Sequence, residues 1–321
     1  LTDDGGWRLE IKKYPKLTDV GAWRVKQDVE WSYGGLFFPG KDSGKELEGG
    51  FYTQAEVRDI VRYAADRLVT VVPEIEMPGH STETIASYPE LACKTPAQVM
   101  ADYVKTTGNE YPSMVCPGNP RVEAFFQDVL TEVLGLFPSK FIHIGADEVP
   151  KTLWSQCSLC QARMKEKSLS NVEQLQSDFV QRMERWLSSK NRRLIGWDEI
   201  LEGGLAPGAT VMSWRGISGG IEAAKEGHDV VMSPTSHCYF DYSYAAIPTR
   251  TVYDYEPIPT ELTAEEGKHI LGAQANIWTE WLSTEQEVEA MMFPRASALA
   301  EAVWSPVERR NWKDFNERLS D

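Results

Sequence analysis

Asp147 and Glu148 stand side by side where the apolar alternation of residues 141–154, FIHIGADEVPKTLW, comes to an end. Adjacent carboxylates at a strand exit have a bland use, as solvated loop residues or helix caps. They also have a chemical one: an acid that holds its proton near neutrality can pass it to a leaving group while an ionised neighbour stabilises positive charge. Adjacent charge and partial burial would push Glu148 upward in pKa, the direction a general acid requires. Neighbouring side chains on an extended segment point to opposite sides, so both acids serve one ligand only where the chain bends. A strand end supplies that bend.

The elements that would position the pair repeat along the chain. Short β-rich runs at 69–76, 140–148, 192–200, 209–214, 228–234 and 269–278 alternate with helical stretches at 54–67, 120–136, 171–190, 218–226 and 285–302. This βα rhythm, with runs continuously apolar rather than alternating, predicts parallel strands covered on both faces. Polar residues gather at the C-terminal ends of the runs: Glu74 and Glu76, Asp147 and Glu148, Trp197 with Asp198 and Glu199, Trp214 and Arg215, Trp278 and Glu280. In a TIM-type (β/α)8 barrel those ends form the active face, and that is the fold class expected. An open doubly wound sheet would gather ligands similarly, but no G-x-G-x-x-G or Walker pattern follows the first run. No linker or low-complexity stretch interrupts residues 1–321, which read as one catalytic domain.

Composition narrows the ligand. The chain has 321 residues and a formal charge of −15, which opposes nucleic acid and anionic membrane surfaces as partners. No apolar run approaches the ~20 residues of a membrane helix. Trp197, Trp214 and Trp278 recur at equivalent strand ends. Aromatic walls beside carboxylates suit sugars, whose rings offer C–H faces for stacking and hydroxyls for acid oxygens. Five cysteines (Cys93, Cys116, Cys157, Cys160 and Cys238) leave at least one thiol unpaired. Cys157 and Cys160 form a C-x-x-C, but a structural zinc site needs a second ligand pair, and none follows at comparable spacing nearby. No metal is therefore expected. Cys93 and Cys116 flank a loop-like stretch and are candidates for a bridge that sequence alone does not establish.

Seven stretches together resemble the family 20 glycoside hydrolases, the β-N-acetylhexosaminidases: LTDDGGWRLEIKKYP (1–15), PEIEMPGHS (73–81), HIGADEV (143–149), GWDEI (196–200), MSWRG (212–216), YFDY (239–242) and QANIWTEW (274–281). HIGADEV is the most specific. The resemblance implies exo-acting removal of terminal GlcNAc or GalNAc from an oligosaccharide or glycoconjugate, with no organic cofactor. It implies substrate-assisted retention, in which the sugar's own 2-acetamido oxygen attacks C1 and no protein nucleophile is needed. By the same likeness, Glu148 is the general acid and later base, while Asp147 accepts the acetamido N–H and stabilises the oxazolinium. Tyr239 bonds the acetamido carbonyl. Asp241 and Glu280 bond the outer hydroxyls, and Trp197, Trp214 and Trp278 line the acetamido pocket and sugar face. His80 belongs to a relay from an aspartate, taken as Asp3, toward the acid. Asp198 and Glu199 stay open between a site role and a helix cap. A periplasmic, secreted or lysosome-like compartment suits the family better than the cytoplasm.

One departure stands out against the family pattern. Its barrels begin with a strand carrying an arginine that clamps the terminal sugar, then a helix and a second strand ending in LTDD. Leu1 falls where that second strand would finish, so about six of eight strands are evident and the N-terminal βα unit is missing. Three explanations are open: a fragment of a longer product, a homo-oligomer covering the open edges, or closure with fewer strands. Loss of a charge-assisted bond from that arginine would weaken sugar binding by ~1.5–3 kcal/mol. The rival readings are a lacto-N-biosidase-like enzyme releasing a disaccharide, and a catalytically weak sugar-binding remnant.

Overall fold

Asparagines start the two long helices that back the acid-bearing strand. The Asn119 side chain accepts the Arg121 N–H, Pro120 occupies the first helical position, and Pro120–Leu136 buries Val122, Phe125, Phe126, Val129, Leu130 and Val133. Asn171 accepts the Gln174 N–H, and Val172–Ser189 buries Leu175, Phe179, Val180, Met183 and Leu187. Both show the three-and-four spacing of a helix with one face in a core. The computed structural model describes residues 1–26, 38–94, 98 and 113–319. Its contacts separate two units, Leu1–Ala209 and Thr210–Asp321.

In Leu1–Ala209, strands β1 (Trp23–Val25) and β2 (Leu47–Gly49) pair antiparallel. β3 (Phe141–His143) and β4 (Arg193–Trp197) pair parallel, with Phe141 opposite Arg193 and His143 opposite Ile195. Each of these two strands follows one of the long helices, as a βα alternation requires. The expected strand at 69–76 is shorter than its composition implies. His143 N–H donates to Pro73 O (2.9 Å), Ile75 N–H to His143 O (3.0 Å) and Met77 N–H to Ile144 O (2.9 Å), so pairing begins only at Pro73. Val69 and Val72, which should have been interior, are exposed. β-Propensity without a neighbour to bury against does not make a strand.

In Thr210–Asp321, β5 (Thr210–Ser213), β6 (Val230–Met232) and β7 (Ile270–Ala273) run parallel in that order. The Ser218–Lys225 helix connects β5 to β6 and buries Gly220, Ala223 and Ala224. A Cβ at Gly220 would lie 2.5 Å from Met232 Sδ, so glycine permits this close approach. Beyond β6 and β7 the pairing continues: Phe240 N–H donates to Asn276 O (2.8 Å) and Asn276 N–H to Cys238 O (2.7 Å). This ties YFDY to QANIW, two stretches that the sequence singled out separately. The Glu285–Met292 helix has a full capping box between Thr284 and Glu287 yet buries no residue. Five of the six expected runs are strands, and the sixth is the short ladder at 73–77. Among the described residues, no helix is long and apolar enough to cross a membrane.

Candidate active site

Beyond β3 the backbone leaves the extended region. Gly145, Ala146 and Glu148 have φ of 65°, 71° and 47°. At Gly145 a Cβ would lie 1.5 Å from the Glu76 carboxyl, so only glycine fits. Left-handed Ala146 and Glu148 cost about 1–2 kcal/mol each, and neighbours hold the turn in place. Gly145 O accepts the Trp197 N–H at 2.9 Å, and Ala146 O accepts the Gln176 amide at 2.7 Å. The bend has the anticipated result: Asp147 Oδ2 and Glu148 Oε2 lie 3.5 and 3.7 Å from the same atom, His80 Nε2.

His80 is itself left-handed at φ 41°. Its Nδ1 lies 3.0 Å from Asp4 Oδ2 and 3.6 Å from Asp3 Oδ1. Asp4, not the anticipated Asp3, is thus the hydrogen-bonded partner. Asp4 is buried and fixed by the Thr82 N–H at 3.2 Å and by the Thr82 hydroxyl, whereas the Asp3 side chain is 52% exposed. Burial works to lower the His80 pKa, but bonding to Asp147 and Asp4 outweighs it and raises it well above the ordinary histidine value. That shift favours the imidazolium, whose Nδ1 faces Asp4 and whose Nε2 faces Asp147 and Glu148. Asp3, Asp4 and His80, and likewise His80, Asp147 and Glu148, are close enough to surround a metal ion.

The two acids differ in their surroundings. Asp147 Oδ1 is buried and has no hydrogen-bond partner in the protein, which makes it an acceptor waiting for a donor. The Glu148 side chain is 58% exposed, so the partial burial anticipated for it is not supplied by the protein. Nearby Glu76 is buried, and burial followed by the Asp147 charge raises its pKa well above the carboxylate range. The shift favours its protonated form. Trp197, anticipated as a pocket wall, is 2% exposed. Its indole N–H donates to Glu74 at 3.1 Å and its ring meets His143 edge-on at 5.0 Å, which leaves little of its face for a ligand.

The other anticipated residues lie in Thr210–Asp321. Tyr239 stacks with Trp214 (centroids 6.2 Å apart, planes at 27°) and meets Trp278 at 6.4 Å. Trp214 and Trp278 are of intermediate burial. Asp241 Oδ1 is a second buried acceptor without a partner, and burial, then the Glu280 charge, raises the Asp241 pKa. Glu280 thus sits within electrostatic reach of Asp241. Sequence reasoning missed Arg295, which is fully buried. Its guanidinium donates to Phe240 O at 2.5 Å and Tyr242 O at 2.7 Å, gripping the carbonyls on either side of Asp241. One signal was available, an arginine opening an alanine-rich helix, RASALAEAVW. Asp4 was signalled only by being the second acid of LTDD, and Gln176 not at all.

A bent carboxylate pair against a histidine, at the exit of a parallel strand, places groups able to exchange protons together in an α/β protein. The family model for the glycosyl hydrolase family 20 catalytic domain matches residues 1–307, and the chain belongs to that family. It is 44% identical to a β-hexosaminidase of Porphyromonas gingivalis over all of this chain and 40% of that protein. It is 38% identical to a β-hexosaminidase of Vibrio furnissii, over 94% of this chain and 50% of the relative. Among solved structures, an exo-β-N-acetylglucosaminidase of Vibrio harveyi in complex with N-acetylglucosamine aligns with a TM-score of 0.85 at 33% identity, covering 100% of this chain and 51% of that one. The fold class is the TIM-type α/β barrel expected from the sequence. The chain spans about half the length of the relatives it matches.

Proposed function

We propose that this chain is the catalytic domain of an exo-acting β-N-acetylhexosaminidase that hydrolyses terminal β-linked GlcNAc or GalNAc from oligosaccharides or glycoconjugates. One observation carries the reading: Asp147 and Glu148 meet at one histidine ring while Asp147 Oδ1 is buried without a donor. A 2-acetamido N–H supplies that donor. In this reading the acetamido carbonyl oxygen attacks C1, Glu148 protonates the departing glycosidic oxygen, and an oxazolinium forms. Glu148, now a carboxylate, then takes a proton from the water that opens the ring. Asp147 stays ionised against the positive charge that develops. His80, its protonated form favoured by Asp147 and Asp4, holds both acids in register.

For the sugar, Tyr239 is assigned to the acetamido carbonyl, Asp241 and Glu280 to ring hydroxyls, and Trp214 and Trp278 to the sugar face. The orphaned Asp241 Oδ1 and the Arg295 grip around it support the hydroxyl role. A periplasmic, secreted or lysosome-like compartment is assigned on family likeness alone. The test is the acetamido group itself. p-Nitrophenyl N-acetyl-β-glucosaminide or its galacto epimer is expected to turn over, and p-nitrophenyl β-glucoside, identical but for that group, is not. Equal rates on the glucoside would overturn substrate assistance, and no turnover of any of the three would favour a sugar-binding role.

A further inference from the structure

Four of the five cysteines converge in an apolar cluster. Cys116 Sγ lies 3.6 Å from Cys157 Sγ and 3.5 Å from Cys160 Sγ, and Cys160 lies 3.7 Å from Cys93. All four sulfurs fall within 4.8 Å of one another. Every one is a free thiol, so the candidate bridge between Cys93 and Cys116 is not formed. The ligand pair that the C-x-x-C lacked in sequence comes from elsewhere in the chain. Ala92 and Val115 form an antiparallel bridge and Cys116 N–H donates to Leu91 O at 2.8 Å, which brings Cys93 and Cys116 together. Cys157 caps the Ser158–Lys167 helix and Cys160 sits in its first turn.

We propose that Cys93, Cys116, Cys157 and Cys160 form a structural tetrathiolate zinc site. Zinc–sulfur bonds of ~2.3 Å in a tetrahedron place the sulfurs about 3.8 Å apart, close to the three shortest separations here. The contacts run 93–160–116–157, so Cys160 and Cys116 each have two sulfur neighbours and are closest to each other, whereas two disulfides would give every sulfur a single partner. The surroundings are dry and soft: Met114, Val149, Trp154 and Leu175 complete the cluster. Gly118 lies directly against the backbone of Cys160. Glycine is required there, because a Cβ would lie 2.4 Å from Leu159 O and 2.5 Å from Cys160 N.

Four protein ligands leave zinc no open position, so the role is structural. On binding, the four thiols release their protons to solvent. The ion would fasten the chain just past Glu148 to the ribbon at 113–116. That ribbon in turn holds the His80 turn, through Val115 N–H to Pro78 O (2.9 Å) and Ser81 N–H to Ser113 O (2.8 Å). Trp154 adds its indole N–H to Val115 O at 3.1 Å.

The test is metal content of the full chain after dialysis against zinc chloride and gel filtration, with X-ray absorption at the zinc edge. The expected result is about one zinc per chain with sulfur neighbours only, near 2.3 Å. Titration with a mercurial should release that zinc as four thiols react. Cys157→Ser with Cys160→Ser should abolish retention, and Cys238→Ser should keep it. Should the double variant fail to fold, absorption and titration on the unaltered chain decide. Absence of stoichiometric zinc, oxygen or nitrogen neighbours only, or four cysteines recovered as two disulfides would each overturn the proposal.

Discussion

The segment from Ile144 to Cys160 is held at its two ends by opposite means. At the first end, three carboxylates from two stretches of chain, Asp4 on one and Asp147 and Glu148 on the other, surround the His80 ring, and Glu148 stays open to water. At the other, four thiols crowd into an apolar pocket with Trp154 and Met114. Each cluster gathers like groups around a centre. The first takes its counter-charge from His80, a side chain able to lose its proton, and the second is proposed to take it from a metal ion that cannot. A site that must exchange protons with substrate needs the titratable centre, whereas a fastening needs the fixed one. The left-handed backbone at Ala146 and Glu148 shows where the strain of aiming side chains falls, and it falls at the working end.

Perturbing the charged end should show its parts acting unequally. The largest effect is expected for Asp147→Asn. It removes an anion from beside the developing positive charge and leaves Oδ1 facing the acetamido N–H without that charge, so kcat should fall on the order of 10²–10³-fold. A thiazoline analogue of the intermediate should bind correspondingly more weakly, and unchanged inhibition would remove Asp147 from its assigned contact. Asp4→Asn should cost less, about tenfold, because Asp4 acts through His80. Its signature is in pH. His80 has its pKa raised by Asp147 and Asp4, so the imidazolium pairing is fully present below the ordinary histidine pKa and is lost as pH rises through the raised value. Removing Asp4 should bring the alkaline limb of kcat/KM to lower pH. A profile that drops in height without moving would mean Asp4 only packs.

Much of this was legible in residue order, because it is local. The acid doublet at the end of an apolar run, the bend it demanded, and the recurrence of tryptophans at strand ends all concern neighbours in sequence. What was hidden depends on closing long loops. Cys93 and Cys116 meet the C-x-x-C only because the 92–115 bridge forms, and nothing in their spacing announces it. Likewise the choice of Asp4 over Asp3 depends on Thr82 lying across the turn. The 69–76 run misled in the other direction, since its valines promised a longer strand than its neighbours support. Trp197 carries the right residue type at the right strand end, yet Glu74 and His143 cover most of it.

The central claim is that Glu148 carries the proton. The direct measurement is Glu148→Gln assayed on N-acetyl-β-glucosaminides whose leaving groups range from activated aryl to alkyl sugar. Glu148 is largely exposed, so the substitution should change thermal stability by about 0.5 kcal/mol or less, and activity differences can be read as chemistry. Turnover of poor leaving groups should collapse by far more than that of activated aryl ones, because only the former need protonation to depart. An equal loss across the whole series would contradict the assignment.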